Sequence, residues 1–201
     1  DLRKSMLASR LRIRGTVRGL SHYLSGMANA DELLYETDVP GMYIMFAGPR
    51  VPNAAELLGS KAFPTLISAL KDVFDYIIVD CAPSLSLITV NALAAVDSVL
   101  IPMQCEYYAL EGLADLTQTI DRIQQALNPD LQIIGVLRTM YDARNALTRD
   151  VSEELEQYFG KKLYDTVIPR NVRLAEAPAH GLPIIYFEKN SKGAVAYLNL
   201  A

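Results

Sequence analysis

The residues best suited to chemistry stand in one stretch, Phe74-Asp75-Tyr76-Ile77-Ile78-Val79-Asp80-Cys81-Ala82-Pro83-Ser84. An apolar run that ends in an acid and then turns at a proline sets the Asp80 carboxylate just beyond a buried strand. There it can hold Mg²⁺, directly or through water, beside nucleotide phosphates. The same pattern also suits a turn-former or a helix cap, so spacing alone leaves both readings open. The other reactive side chains offer less. Ser84 and Ser86 follow the run without a G-x-S-x-G elbow to expose a nucleophile. His22 and His180 are single, with no Cys or acid at metal-ligand spacing, which favours structural roles. Cys81 and Cys105 supply neither a disulfide framework nor the paired spacing of a zinc site and read as two free thiols. Packing accounts for the Tyr107-Tyr108 pair.

Charge narrows the partners. The formal net charge of −4 gives no general attraction for nucleic acid or anionic lipid, so any such binding needs a local patch. The first eighteen residues hold one: Arg3, Lys4, Arg10, Arg12, Arg14 and Arg18 face the single acid Asp1. A solvated basic loop and a ligand site explain it equally well.

These groups need a scaffold. With 51% apolar and 21% charged residues, the 201-residue chain reads as one globular domain rather than a disordered one. No apolar run approaches the ~20 residues of a membrane-spanning helix and no charged-then-apolar leader opens the sequence, so a cytoplasmic protein is expected. Short runs rich in Ile, Val and Tyr predict strands at 42–47, 76–79, 98–102, 133–137, 165–168 and 183–187. The most apolar of them lack period-two alternation, as parallel strands covered on both faces do. Longer amphipathic stretches predict helices at 53–72, interrupted near Pro64, and at 109–126, 148–159 and 193–201. The alternating order predicts an α/β fold with a doubly wound, mostly parallel sheet, whose ligands sit beyond the carboxyl ends of the strands. No repeat or linker divides the chain, so residues 1–201 are expected to form one domain. Both ends look cut: Asp1 opens on a polar turn and the last residues stop inside an apolar helical pattern.

From Asp75 onward the sequence resembles the ParA/Soj partitioning ATPases. The matching blocks are D-Y-I-I-V-D-C-A-P-S-L from Asp75, N-A-L from Asn91 and S-V-L-I-P-M-Q-C-E-Y-Y-A-L-E-G-L from Ser98. G-V-L-R-T-M-Y-D-A-R from Gly135, V-I-P-R-N-V-R-L-A-E-A-P from Val167 and S-K-G-A-V-A-Y-L-N-L-A from Ser191 continue the order. Residues 1 to about 73 resemble instead the bacterial tyrosine kinases of capsule and exopolysaccharide export, through D-L-R-K-S at Asp1, G-L-S-H-Y-L-S-G at Gly19 and A-G-P-R-V-P-N-A-A-E-L-L-G-S at Ala47. Both families share the deviant Walker P-loop NTPase fold. The sequence thus reads as a composite, natural, designed or assembled.

The resemblance implies an ATPase whose ATP- and Mg-bound homodimer binds DNA nonspecifically at the nucleoid and is switched by a ParB-like activator. It implies that Asp1 lies in the first switch near the attacking water, and that Asp80 is the Walker B acid serving Mg. It also implies that Thr139, Met140, Pro169, Arg170 and Asn171 pack the adenine and ribose, and that Arg144 and Arg173 meet DNA phosphates. Taken alone, Met140 and Pro169 read as ordinary loop packing, and lone arginines as solvated charges. One departure stands out. Both families carry a loop of the form K-G-G-x-G-K-[ST], and no segment of these 201 residues reads so. Asp1 matches the last acid of the D-x-D motif after the second strand, so the P-loop βαβ unit is expected upstream of residue 1. The kinase alternative lacks the clustered C-terminal tyrosines that such enzymes phosphorylate. A third alternative is a non-catalytic remnant or chimera.

Overall fold

Three of the predicted strands do pair in parallel. In the computed structural model, which describes residues 2, 7–11, 13, 15–82 and 86–201, the chain divides into two units, residues 1–96 and 97–201.

The first unit carries the short helices α1 (Leu7–Arg10) and α2 (Leu20–Leu24). An antiparallel hairpin, β1 (Leu34–Glu36) with β2 (Tyr43–Met45), comes next. Helices α3 (Ala54–Leu58), α4 (Ala62–Lys71) and α5 (Leu87–Leu93) complete it. The predicted helix over 53–72 breaks at Gly59, not at Pro64. Pro64 stands in the first turn of α4, where a missing N–H leaves no intrahelical bond unmade. Phe63, Leu66, Ile67 and Leu70 fall on one stripe of α4 and are buried. Phe63 and Ile67 join Leu2, Leu24, Ala54 and Leu58 in a core, and Asn91 Nδ2 ties α5 to the Ala55 carbonyl at 2.8 Å. His22 is structural: its Nδ1 accepts the Gly19 N–H at 3.1 Å.

Residues 76–79 depart from the predicted strand. They form no ladder among the described residues; Ile77 and Val79 pack on the core, whereas Tyr76 and Ile78 are 88% and 92% exposed. An apolar run becomes a strand only where a neighbour pairs with it.

The second unit is a parallel sheet, β3 (Ser98–Gln104), β4 (Gln132–Tyr141) and β5 (Leu163–Pro169), in the order β3-β4-β5. Its helices are α6 (Tyr107–Ala126), α7 (Ala146–Phe159), α8 (Val172–Glu176), α9 (Ile184–Phe187) and α10 (Lys192–Leu200). Central β4 buries Gly135, Val136 and Leu137 in succession, as a strand covered on both faces must. On β3 burial alternates, with Ile101 and Met103 in and Leu100 and Pro102 out. Gly135 is required: a β-carbon there would come within 2.7 Å of Tyr164 Cδ2 on β5. The predicted strand at 183–187 is a helical turn instead, started by Pro183 as its N-cap. There His180 stacks on Phe187 with ring centroids 4.7 Å apart.

Candidate functional site

Parallel strands bring their carboxyl ends to one edge, and the second unit opens a cavity of about 240 Å³ there. Gln104, Cys105 and Glu106 reach it from the end of β3, and Met140 and Asp142 from the end of β4. Asn145 and Thr148 line it from the start of α7, and Arg170 from the residue after β5.

Local rules explain these positions. Asn145 caps α7, its side chain accepting the Leu147 N–H at 3.1 Å. The β4–β5 register breaks on both sides of Arg138, and Met140, just past it, has φ +52°, the one non-glycine residue with positive φ among those described. Such a conformation costs roughly 1–3 kcal/mol and persists only where the surroundings impose it. Here Arg170 N–H is bonded to the Tyr141 carbonyl at 3.0 Å, holding the two strand ends together past the break.

Of the residues expected to pack a base and ribose, Met140 and Arg170 line the cavity. The other three adjoin it in sequence and serve the backbone. Thr139 Oγ1 donates to the Met103 carbonyl at 3.2 Å, Pro169 pairs with Tyr141 in the ladder, and Asn171 caps α8 by accepting the Arg173 N–H at 2.9 Å. Asp80 belongs to the first unit and is exposed, just after the irregular 76–79 segment. Asp1 lies outside the described residues, as do Pro83 and Ser84 of the Asp80 motif.

The sequence reading missed Gln104, Glu106, Asp142 and Asn145. The first two and Asp142 follow strand ends, and Asn145 precedes an amphipathic run as a cap does, so the signals were present. Asp142 is the strongest electrostatic feature. Side-chain hydrogen bonds from Arg144, then the Arg144 backbone N–H, hold its carboxyl down at about 2 against an ordinary 3.8. Burial pushes the Cys105 thiol up, with the Arg138 charge opposing, so this one side chain of the cavity wall stays protonated near neutrality. Arg173 pairs with Glu176 at 2.8 Å.

The donor set suits one end of a nucleotide. Amides of Gln104 and Asn145, the Thr148 hydroxyl and the Asp142 carboxylate can bond ring amines and ribose hydroxyls, with Met140 as an apolar face. For the phosphates the 201-residue sequence holds no Gly-rich lysine loop.

A parallel α/β unit with a polar cavity at its strand ends is an architecture that P-loop NTPases share with other nucleotide-binding folds, and the likeness to known proteins assigns the chain to the P-loop class. In agreement, an AAA domain model matches residues 16–133. Cobyrinic acid a,c-diamide synthase from Mycobacterium smegmatis with bound ADP and magnesium superposes with a TM-score of 0.77 at 29% identity, covering 99% of this chain and 77% of that one. The chromosome-partitioning ATPase Soj of Treponema pallidum is 42% identical over 194 residues, 93% of this chain and 77% of that protein. The chain belongs to the ParA/Soj family. It spans about half the length of an uncharacterized Pseudomonas putida protein that it matches at 60% identity over 135 residues, 67% of this chain and 51% of that one. The domain match runs unbroken through residue 74 and the Treponema relative covers nearly the whole chain. The partitioning reading therefore stands ahead of the export-kinase one.

Proposed function

We propose that the protein is an ATPase of chromosome partitioning, residues 1–201 forming one nucleotide-binding domain. ATP bridges a homodimer, the dimer binds DNA without sequence preference at the nucleoid, and hydrolysis prompted by a ParB-like activator releases it. Met140, Arg170 and the cavity polar groups hold base and sugar, with Thr139, Pro169 and Asn171 shaping the rim. Asp80 serves Mg, and Asp1 serves the attacking water. Bound Mg·ATP supplies the phosphoanhydride that is hydrolysed.

One observation carries this reading. Two of the three strand ends that line the cavity lead directly into the two arginines: Asp142 to Arg144 after β4, and Arg170 to Arg173 after β5. Four arginines in a dimer imply a salt slope of about −3.6 by counterion release. The test is fluorescence anisotropy of random-sequence duplex with the full-length protein, with and without Mg·ATP, over a salt series. Arg144→Ala and Arg173→Ala should each abolish the ATP-dependent signal while a fluorescent ATP analogue still binds. DNA binding that ignores ATP, or that survives both substitutions with its slope unchanged, refutes the reading.

A further inference from the structure

Each of the two arginines already holds a carboxylate. Arg144 Nε and Nη2 donate to Asp142 Oδ1 and Oδ2 at 2.9 and 2.8 Å, and the Arg144 backbone N–H adds a bond to Oδ1 at 3.1 Å. Arg173 Nη1 donates to Glu176 Oε2 at 2.8 Å across α8. A carboxylate presents to a guanidinium the same pair of acceptor oxygens that a phosphodiester does. The edge of each guanidinium that faces the carboxylate is therefore engaged within the chain, and a DNA phosphate approaching that edge competes for it.

The two pairs arise on different loops and by different spacings. Asp142 precedes its arginine by two residues in the turn between β4 and α7, whereas Glu176 follows its own by three on α8. The Arg144 side chain is 90% exposed while that of Asp142 is 29% exposed. The acid is anchored in the surface and the guanidinium stands over it, open to exchange.

We infer that Asp142 and Glu176 are intramolecular stand-ins for phosphate, which DNA must displace before Arg144 and Arg173 can bind it. The inference rests on the DNA role of these arginines given above. Exposed ion pairs shift an equilibrium by about 1.4- to 5-fold each, so one latch present twice in a dimer weakens DNA binding by about 2- to 25-fold. Such a latch is too weak to block a continuous run of phosphates and strong enough to discourage isolated contacts. It also lets an acidic protein carry fixed DNA-binding arginines without adding to its net positive charge.

The experiment compares Asp142→Asn, Glu176→Gln and Asp150→Asn in the full-length protein. All three lose one negative charge, but Asp150, exposed on α7, grips neither arginine. Affinity for random-sequence duplex is measured at saturating Mg·ATP, with the dimer fraction checked by sedimentation in the same samples. Asp142→Asn and Glu176→Gln should each bind DNA 2- to 25-fold tighter than Asp150→Asn. Glu176 lies outside the cavity wall, so its variant reports the latch without disturbing that site. If neither binds tighter than Asp150→Asn while Arg144→Ala and Arg173→Ala still lose DNA, the latch is refuted and the DNA reading stands. If the two alanine variants bind DNA as the parent does, the DNA reading falls and takes the latch with it.

Discussion

The guanidinium of Arg138 donates to the carbonyl oxygen of Tyr164 at 2.8 Å, filling the gap where the β4–β5 ladder loses register. Its other terminal nitrogen reaches Ser152 Oγ on α7 at 2.6 Å. A charged side chain inside a parallel sheet thus replaces backbone bonds that the bulge cannot make, and it does so two residues before the strained Met140.

Arg138→Met should therefore destabilise the protein by about 1.5–3 kcal/mol, since it leaves the Tyr164 carbonyl and the Ser152 hydroxyl without their charged donor. Arg138→Lys should recover part of the loss, because one ammonium can reach one of the two partners but not both. Urea unfolding of full-length variants measures this. Equal midpoints for parent and Arg138→Met would show that the bulge holds without the arginine.

The Asp142 carboxyl, held at about 2, predicts a pH signature. A carboxyl whose folded pKa lies below its unfolded value adds stability above the unfolded value, and that stability is lost as pH falls through the folded one. The pair should thus support the fold fully above pH 3.8 and release it progressively toward pH 2. In Arg144→Ala both the side-chain hydrogen bonds and the charge disappear, so the carboxyl should move up toward 3.8. Carboxyl-carbon NMR titration reads the shift site by site. An Asp142 midpoint unmoved by Arg144→Ala would show that other groups hold it down.

The sheet strands β3, β4 and β5 were legible because three apolar runs of Ile, Val and Leu are bounded by polar turns. The sequence reading ended β4 at Leu137, however, whereas the strand continues to Tyr141. Arg138 and Thr139 break the apolar run, and only the tertiary partners Ser152, Tyr164 and Met103 make them compatible with a strand. The run at 183–187 misled for a different reason. Four bulky residues after a proline are too few to show a period, and a helical turn hides them as well as a strand would. The β1–β2 hairpin went half unseen because Leu34–Glu36 is only three residues long, although Pro40-Gly41 marked its turn.

The site was legible where it follows strand ends. Arg170 and Met140 come from that rule together with the family resemblance, and both line the cavity. Asp142 was passed over because an acid near an arginine two residues away has no meaning until the side chains are seen to meet. That Asp142 serves both the cavity wall and the Arg144 guanidinium is tertiary information.

The exposed pair Tyr76 and Ile78 gives the last prediction. Both side chains sit on a segment that joins no ladder among the described residues, so exposed apolar surface lies on a strand-forming sequence, the combination that invites strand-to-strand pairing between molecules. Residues 1–201 produced by themselves should associate, with an apparent mass that rises with concentration in sedimentation velocity. Tyr76→Ser with Ile78→Ser removes the apolar half of that attraction while leaving Ile77 and Val79 on the core. The double variant should therefore shift the distribution toward monomer without lowering the unfolding midpoint. A parent chain that sediments as one concentration-independent monomer would show that this edge is protected in solution. Association unchanged by the double substitution would place the sticky surface elsewhere in the chain.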